Sequence, residues 1–254
     1  MDIGITFMGI LVGCLVGMTG VGGASLLTPV LVLVGIQPSV AVGTDLFYNS
    51  VTKLFGTVQH FRQKTIDFRL VGHLAAGSVP GAVAAVAMLQ WFDTFFHNQE
   101  HLIRQSLGAV LIAVSLTTLA RQLFRRNARE NRWQAVPLAQ KRAATVLIGA
   151  ALGFIVGLTS IGSGSLFAIA LMHLYRLTAA QLVGTDIAHA FLLVTAAGLM
   201  HAGFGNVDFL LAFNLLIGSV PGVLLGGALA PKVPAGPLRA VVAALILISG
   251  VKLL

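Results

Sequence analysis

The residues best suited to chemistry come in a repeated motif. Val42-Gly-Thr-Asp45 returns as Val183-Gly-Thr-Asp186, each time placing a carboxylate in an otherwise apolar stretch. An ionisable group deep in an apolar span is costly and marks a functional site by default, so Asp45 and Asp186 read as proton-coupling groups. Both lie early in their stretches, and an N-cap or first-turn role is the plain alternative. Thr44 and Thr185 add hydroxyls for a substrate. Beyond the motif the two copies diverge: Tyr48-Asn49 corresponds to His189-Ala190, and Lys53 to Val194. One helix turn separates Asn49 from Lys53, so they share a face, with Lys53 placed to neutralise Asp45 or a substrate anion. Snorkelling of Lys53 to an interface fits the sequence equally well. His189 is a second candidate for titration; a lone histidine on an apolar face is more often only hydrogen-bonded.

Around these motifs lie two glycine-rich breaks in apolar runs. Gly17-Met-Thr-Gly-Val-Gly-Gly23 interrupts residues 3–34, and Gly157-Leu-Thr-Ser-Ile-Gly-Ser-Gly164 interrupts residues 143–174. In hydrocarbon an irregular backbone must be buried in protein or line a cavity, because unpaired N–H and C=O groups cost several kcal/mol. Matched breaks in two halves are the sequence pointer to a transporter's binding site. The helix after a break begins with free N–H groups and a positive dipole end, which suits an anion. Gly22, Gly23 and Ser25 would present such groups from one half, and Gly162, Ser163 and Ser165 from the other. Thr19, Thr159 and Ser160 add hydroxyl donors. Close helix packing through small residues is the alternative use of the glycines.

The composition demands a membrane. Apolar residues make up 57% and charged residues 9%, and the apolar stretches recur down the chain. A crossing needs about 20 apolar residues, so the chain holds eight to ten membrane segments and little else. A charged n-region and cleavage site are lacking, so the first segment is expected to be retained. The single Cys14 cannot form an internal disulfide. The net charge of +8 is concentrated in loops, which fits membrane orientation rather than nucleic acid. The stretch 121–142 carries seven Lys or Arg against Glu130 and is expected to face the cytoplasm.

The halves flanking that stretch repeat each other. At an offset of 141, Val42-Gly-Thr-Asp45 falls on Val183-Gly-Thr-Asp186, His60 on His201, Asp67-Phe68 on Asp208-Phe209, and Gly77-Ser-Val-Pro-Gly81 on Gly218-Ser-Val-Pro-Gly222. The expected organisation is a first membrane repeat at 1–120, a basic cytoplasmic linker at 121–142, and a second repeat at 143–254. If each broken run enters and returns, as a re-entrant hairpin or two short helices, the halves are inverted. That arrangement puts Arg62, Lys64, Arg69, Arg176, Lys232 and Arg239 on the cytoplasmic side, and loop charge favours it over parallel halves. The fold class is thus an all-α polytopic membrane protein of two duplicated, inverted halves with broken or re-entrant first helices. The Gly-Ser-Val-Pro-Gly segments are expected to break or kink the third helix of each half, with Ser78 and Ser219 as weaker site candidates.

His97-Asn-Gln-Glu-His101 has the H-x-x-E-H form of a zinc-hydrolase helix. It is short, occurs in one half only and lacks an evident third ligand, so no metal site is assigned.

The doubled glycine-rich opening, Val-Gly-Thr-Asp step, basic loop and Gly-Ser-Val-Pro-Gly together resemble the sulfite exporter TauE/SafE family of bacterial permeases, over nearly the whole chain. The resemblance implies a secondary transporter of a small sulfur-containing anion in the bacterial inner membrane, coupled to an ion gradient. It implies no enzymatic activity and no prosthetic cofactor. The expected partners are the anionic substrate and the lipid bilayer, not nucleic acid; homodimerisation stays open. In the second break Ser160 and Ser163 stand where the first has Gly20 and Gly23, a departure from strict equivalence of the anion contacts.

Overall fold

The computed structural model describes residues 3–19, 24–96, 99–123, 134, 136–229 and 235–254. These form ten α-helices and, among the described residues, no strand. The first half contributes α1 (Ile3–Thr19), α2 (Ala24–Leu33), α3 (Pro38–Arg62), α4 (Phe68–Phe96) and α5 (Gln99–Leu123). The second contributes α6 (Leu138–Thr159), α7 (Leu166–Leu174), α8 (Ala179–Gly203), α9 (Phe209–Leu229) and α10 (Ala235–Leu253). Each broken run is thus two helices, the second of them short: α2 has 10 residues and α7 has 9. Residues 20–23 of the first break, and 124–133 of the basic stretch, lie outside the described residues. Helix α6 starts at Leu138, inside the stretch expected to be linker.

Among the described residues, five helices are long and apolar enough to cross a membrane: α4, α5, α6, α8 and α9. Helix α3 matches α8 in length, at 25 residues each, but carries Asp45, Lys53 and Arg62 within its apolar pattern. The outward surface is apolar, as lipid requires. On α9, Leu210, Phe213, Ile217, Val220 and Leu224 form an exposed stripe at helical spacing.

Local signals set where the helices start. Pro38 occupies the first turn of α3, where its missing N–H costs nothing. Thr178 and Gln181 form a capping box at α8. Asp67 Oδ1 accepts from the N–H groups of Arg69 (3.0 Å) and Leu70 (3.1 Å), and Asp208 Oδ1 from Leu211 (2.9 Å), so the repeated Asp-Phe pairs cap α4 and α9. At the other end of a short helix, the buried Lys141 Nζ donates to Leu174 O (2.6 Å) and lies over the Tyr175 ring, closing α7.

Pro80 and Pro221 do not interrupt their helices; α4 and α9 run through them. Both prolines face outward, while the flanking glycines and serines face the first helix of the other half. Along α1, Thr6, Ile10 and Cys14 meet Gly218, Gly222 and Gly226 of α9, so the two helices run parallel. Along α6, Gly149, Gly153 and Gly157 meet Leu74, Ser78 and Ala82 of α4, again parallel. The Gly-Ser-Val-Pro-Gly segments therefore serve as small-residue contact surfaces between halves. The equivalent helices α3 and α8 cross antiparallel: Gly43 lies at His201 and Asn206, Gly198 at Leu46 and Phe47, Gly56 at Ile187, and Gly184 at Thr65.

A side chain at Gly149 would put its Cβ 2.6 Å from Leu74 O, whereas Gly72 has nothing within 4 Å. Gly149→Val is expected to lower stability by about 1–3 kcal/mol through overpacking, with Gly72→Ala near wild type. Thermal unfolding in detergent checks the pair, and equal melting temperatures would contradict the interface.

Candidate functional site

The N-cap positions of α3 and α8 belong to Gln37 and Thr178. Asp45 and Asp186 therefore lie about two turns inside their helices, and capping does not explain them. Asp45 is fully buried. Thr28 on α2 and Ser160 in the second break both donate hydroxyl hydrogen bonds to its Oδ2, the latter at 2.9 Å. Asn49 Nδ2 donates to Oδ1 at 2.6 Å and to the Asp45 carbonyl at 2.9 Å. One carboxylate thus ties together α2, α3 and the turn after α6, three segments drawn from both halves.

That turn is held in an unusual shape. Ser160 adopts φ 60° and Gly162 φ 101°, and the second value is one that glycine supplies without strain. Thr159 stiffens the exit from α6: its hydroxyl donates to Ile155 O (2.7 Å) and accepts from the Ile161 N–H (3.2 Å). Among the described residues, no acceptor takes the backbone N–H groups of Gly162, Ser163, Gly164 or Ser165. The buried hydroxyls of Ser163 and Ser165 also lack partners there. The turn leads into α7, where the ring of Phe167 lies 4.3 Å from that of His189 on α8. It therefore stretches from Asp45 on one half to His189 on the other.

On the α8 side, His189 Nε2 pairs with Ser78 Oγ of α4 at 2.8 Å, while its Nδ1 is buried without a partner among the described residues. Asp186 is buried with Oδ1 equally unpartnered. Lys53 reaches toward this region from α3, within electrostatic range of Asp186, Asp45 and His189. The Lys53 side chain is partly buried. The structure therefore gathers Asp45, Asn49, Lys53, Asp186, His189, Gly162, Ser163 and Ser165 around the α3–α8 crossing.

Thr44 and Thr185 sit elsewhere. Each hydroxyl accepts the backbone N–H of the aspartate that caps the other half's fourth helix: Asp208 to Thr44 and Asp67 to Thr185, both at 3.0 Å. The preceding glycines let those loops approach, since a Cβ at Gly184 would meet Thr65 Oγ1 at 2.6 Å. Gly22 and Gly23 lie outside the described residues, as do the side chains of Thr19 and Ser25.

Thr28 and Phe167 went unnoticed in the sequence, and His201 stood out only as the repeat of His60. Thr28 is the one hydroxyl in the body of apolar α2 and stands beside Pro29, a signal that periodicity ignores. His201 donates from Nε2 to Gly157 O at 3.2 Å, pinning the last turn of α6.

Residues 5–253 match the model of the family described as sulfite exporter TauE/SafE. The chain belongs to that family. The Bacillus subtilis (strain 168) probable membrane transporter protein YjnA is 58% identical over 254 residues, covering 100% of both chains. A second protein of that organism, the probable membrane transporter protein YdhB, is 28% identical over 228 residues, 88% of this chain and 89% of its own. A third, YunE, is 24% identical over 241 residues, 89% and 85% of the two chains. No solved structure matches. This TauE/SafE protein is therefore a membrane transporter and a multi-pass cell-membrane protein, as its repeated motifs led one to expect.

Replacing Thr44 or Thr185 by valine strands one backbone N–H at a contact between halves. Each change is expected to cost about 1–2 kcal/mol of stability. Substrate affinity in the folded fraction should stay unchanged. Unfolding curves and equilibrium binding on the same preparations check this; a weakened affinity at unchanged stability would return the hydroxyls to the substrate.

Proposed function

We propose that this TauE/SafE protein is a secondary transporter that carries a small sulfur-containing oxyanion, sulfite or a small sulfonate, across the bacterial inner membrane. Its coupling to an ion gradient needs neither a cofactor nor a catalytic step. The observation that carries the reading is the turn at 160–165. It offers unpartnered amides and hydroxyls at the start of α7, between Asp45 and His189, with Lys53 nearby. Amide ends, hydroxyls and one ammonium are what an oxyanion needs in place of water. The buried carboxylates and His189 are the groups through which a coupling ion would act.

Inverted halves support transport of this kind. Each half has five helices, and the equivalent α3 and α8 cross antiparallel. An odd number of passes in each half would reverse the second and put Arg62, Lys64, Arg69 and Arg176 on one side with the 121–142 stretch, as loop charge favours. On this reading 1–120 and 143–254 are the repeats, and rocking of one against the other alternates access to a site at their crossing.

A carrier of another small oxyanion or a carboxylate uses the same donors and is the second reading. An intramembrane metallohydrolase built on His97, Glu100 and His101 is disfavoured. Both Glu100 carboxylate oxygens accept from Ser39, one from its N–H (3.1 Å) and the other from its hydroxyl; His97 lies outside the described residues.

Uptake into proteoliposomes of sulfite, sulfate, thiosulfate and a small sulfonate, with and without ion gradients, tests the proposal. Sulfite or sulfonate flux is expected to exceed that of a carboxylate such as acetate. It should fall at least about tenfold in Lys53→Met, a loss on the order of 1.4 kcal/mol, and remain in His101→Ala. Flux of acetate alone would move the assignment to the second reading.

A further inference from the structure

We propose that the oxygen cluster around Asp45 is a binding site for a small monovalent cation, sodium, and that this ion drives the transporter. The inference rests on the transport reading above and specifies its coupling ion. Thr28 Oγ1 and Ser160 Oγ converge on one carboxylate oxygen, Asp45 Oδ2, from opposite halves of the chain. A protonated carboxyl needs a single acceptor for its hydrogen. The three oxygens that meet at one point, a carboxylate oxygen and the hydroxyls of Thr28 and Ser160, are of the type a hard cation takes. Only one carboxylate contributes, so its charge balances a monovalent ion rather than a divalent one. Ser160 also stands at the electronegative end of α6. There the carbonyls of Leu158 and Thr159 receive no donor among the described residues. The C-terminal end of a broken helix is where transporters place such an ion.

The duplicated half acts as an internal control. At the equivalent positions, Thr28 is replaced by Ala168, Asn49 by Ala190 and Ser160 by Gly20. Asp186 has thereby lost all three donors, and its Oδ1 has no partner among the described residues. Lys53 is within electrostatic range of both carboxylates. In direct contact, Asp45 has only neutral groups. A buried charge surrounded by neutral oxygens requires a counter-ion.

Thermal stability of the full chain in detergent, without any anion substrate, tests the site. Sodium chloride at 100 mM should raise the melting temperature by roughly 3 °C over choline chloride at equal ionic strength, with potassium chloride behaving like choline. The shift should vanish in Asp45→Asn and Thr28→Val and persist in Asp186→Asn. Ser160→Ala keeps the carboxylate and should raise the half-saturating sodium concentration about tenfold. In proteoliposomes at equal internal and external pH, a sodium gradient should drive anion flux. Equal stabilisation by choline, or a sodium shift retained in Asp45→Asn, overturns the site. Flux that follows a pH gradient and ignores sodium overturns the coupling. Sodium stabilisation without flux of any tested anion leaves the site standing and removes the substrate assignment instead.

Discussion

A carboxylate buried in a membrane helix must be given what water would have provided, and this requirement organises the molecule. Asp45 meets it with Thr28, Asn49 and Ser160. Those donors come from a short helix, from one turn along the same helix, and from the broken turn of the other half. Because an uncompensated charge in hydrocarbon is costly, the three segments are held at one point, and the second break is thereby placed across the α3–α8 crossing. The shape of that break follows from the same need: Ser160 takes a left-handed conformation at the end of α6, and its hydroxyl reaches Asp45.

The two halves complete each other. Threonines on α3 and α8 accept backbone N–H groups at the starts of α9 and α4. Glycines let α1 pack along α9 and α6 along α4 with backbone nearly in contact. Lipid gives no hydrophobic drive for helices to associate, so close van der Waals packing and interhelical hydrogen bonds carry the association. Such contacts are specific and individually modest. The pair His189–Ser78 illustrates the pattern, since a serine of α4 meets the residue three places after the repeated aspartate of the opposite half.

Duplication made the halves alike, and the site exploits where they ceased to be. Asp45 is enclosed by hydroxyl and amide groups, whereas Asp186 stands bare beside Lys53. Lys53 has only Val194 as its counterpart.

Much of this was legible from residue order. The apolar lengths, the offset of 141, the two glycine breaks and the repeated Gly-Thr-Asp follow from chain chemistry that acts over a few turns, so they can be read without a partner. Apolar runs must be helical in lipid because the backbone has no other acceptors, and Asp67 and Asp208 announce their helix starts locally. What the tertiary structure decided is which groups are already taken. Thr44 and Thr185 look like substrate hydroxyls until Asp208 and Asp67, 164 and 118 residues away, claim them. Pro80 and Pro221 look like breaks until close packing along α6 and α1 holds their helices continuous. Thr28 looks like filler until Asp45 comes to rest against it. Hydrogen-bond capacity is written in each residue, but its use depends on which distant partner folding brings within 3 Å, and no local pattern records that distance.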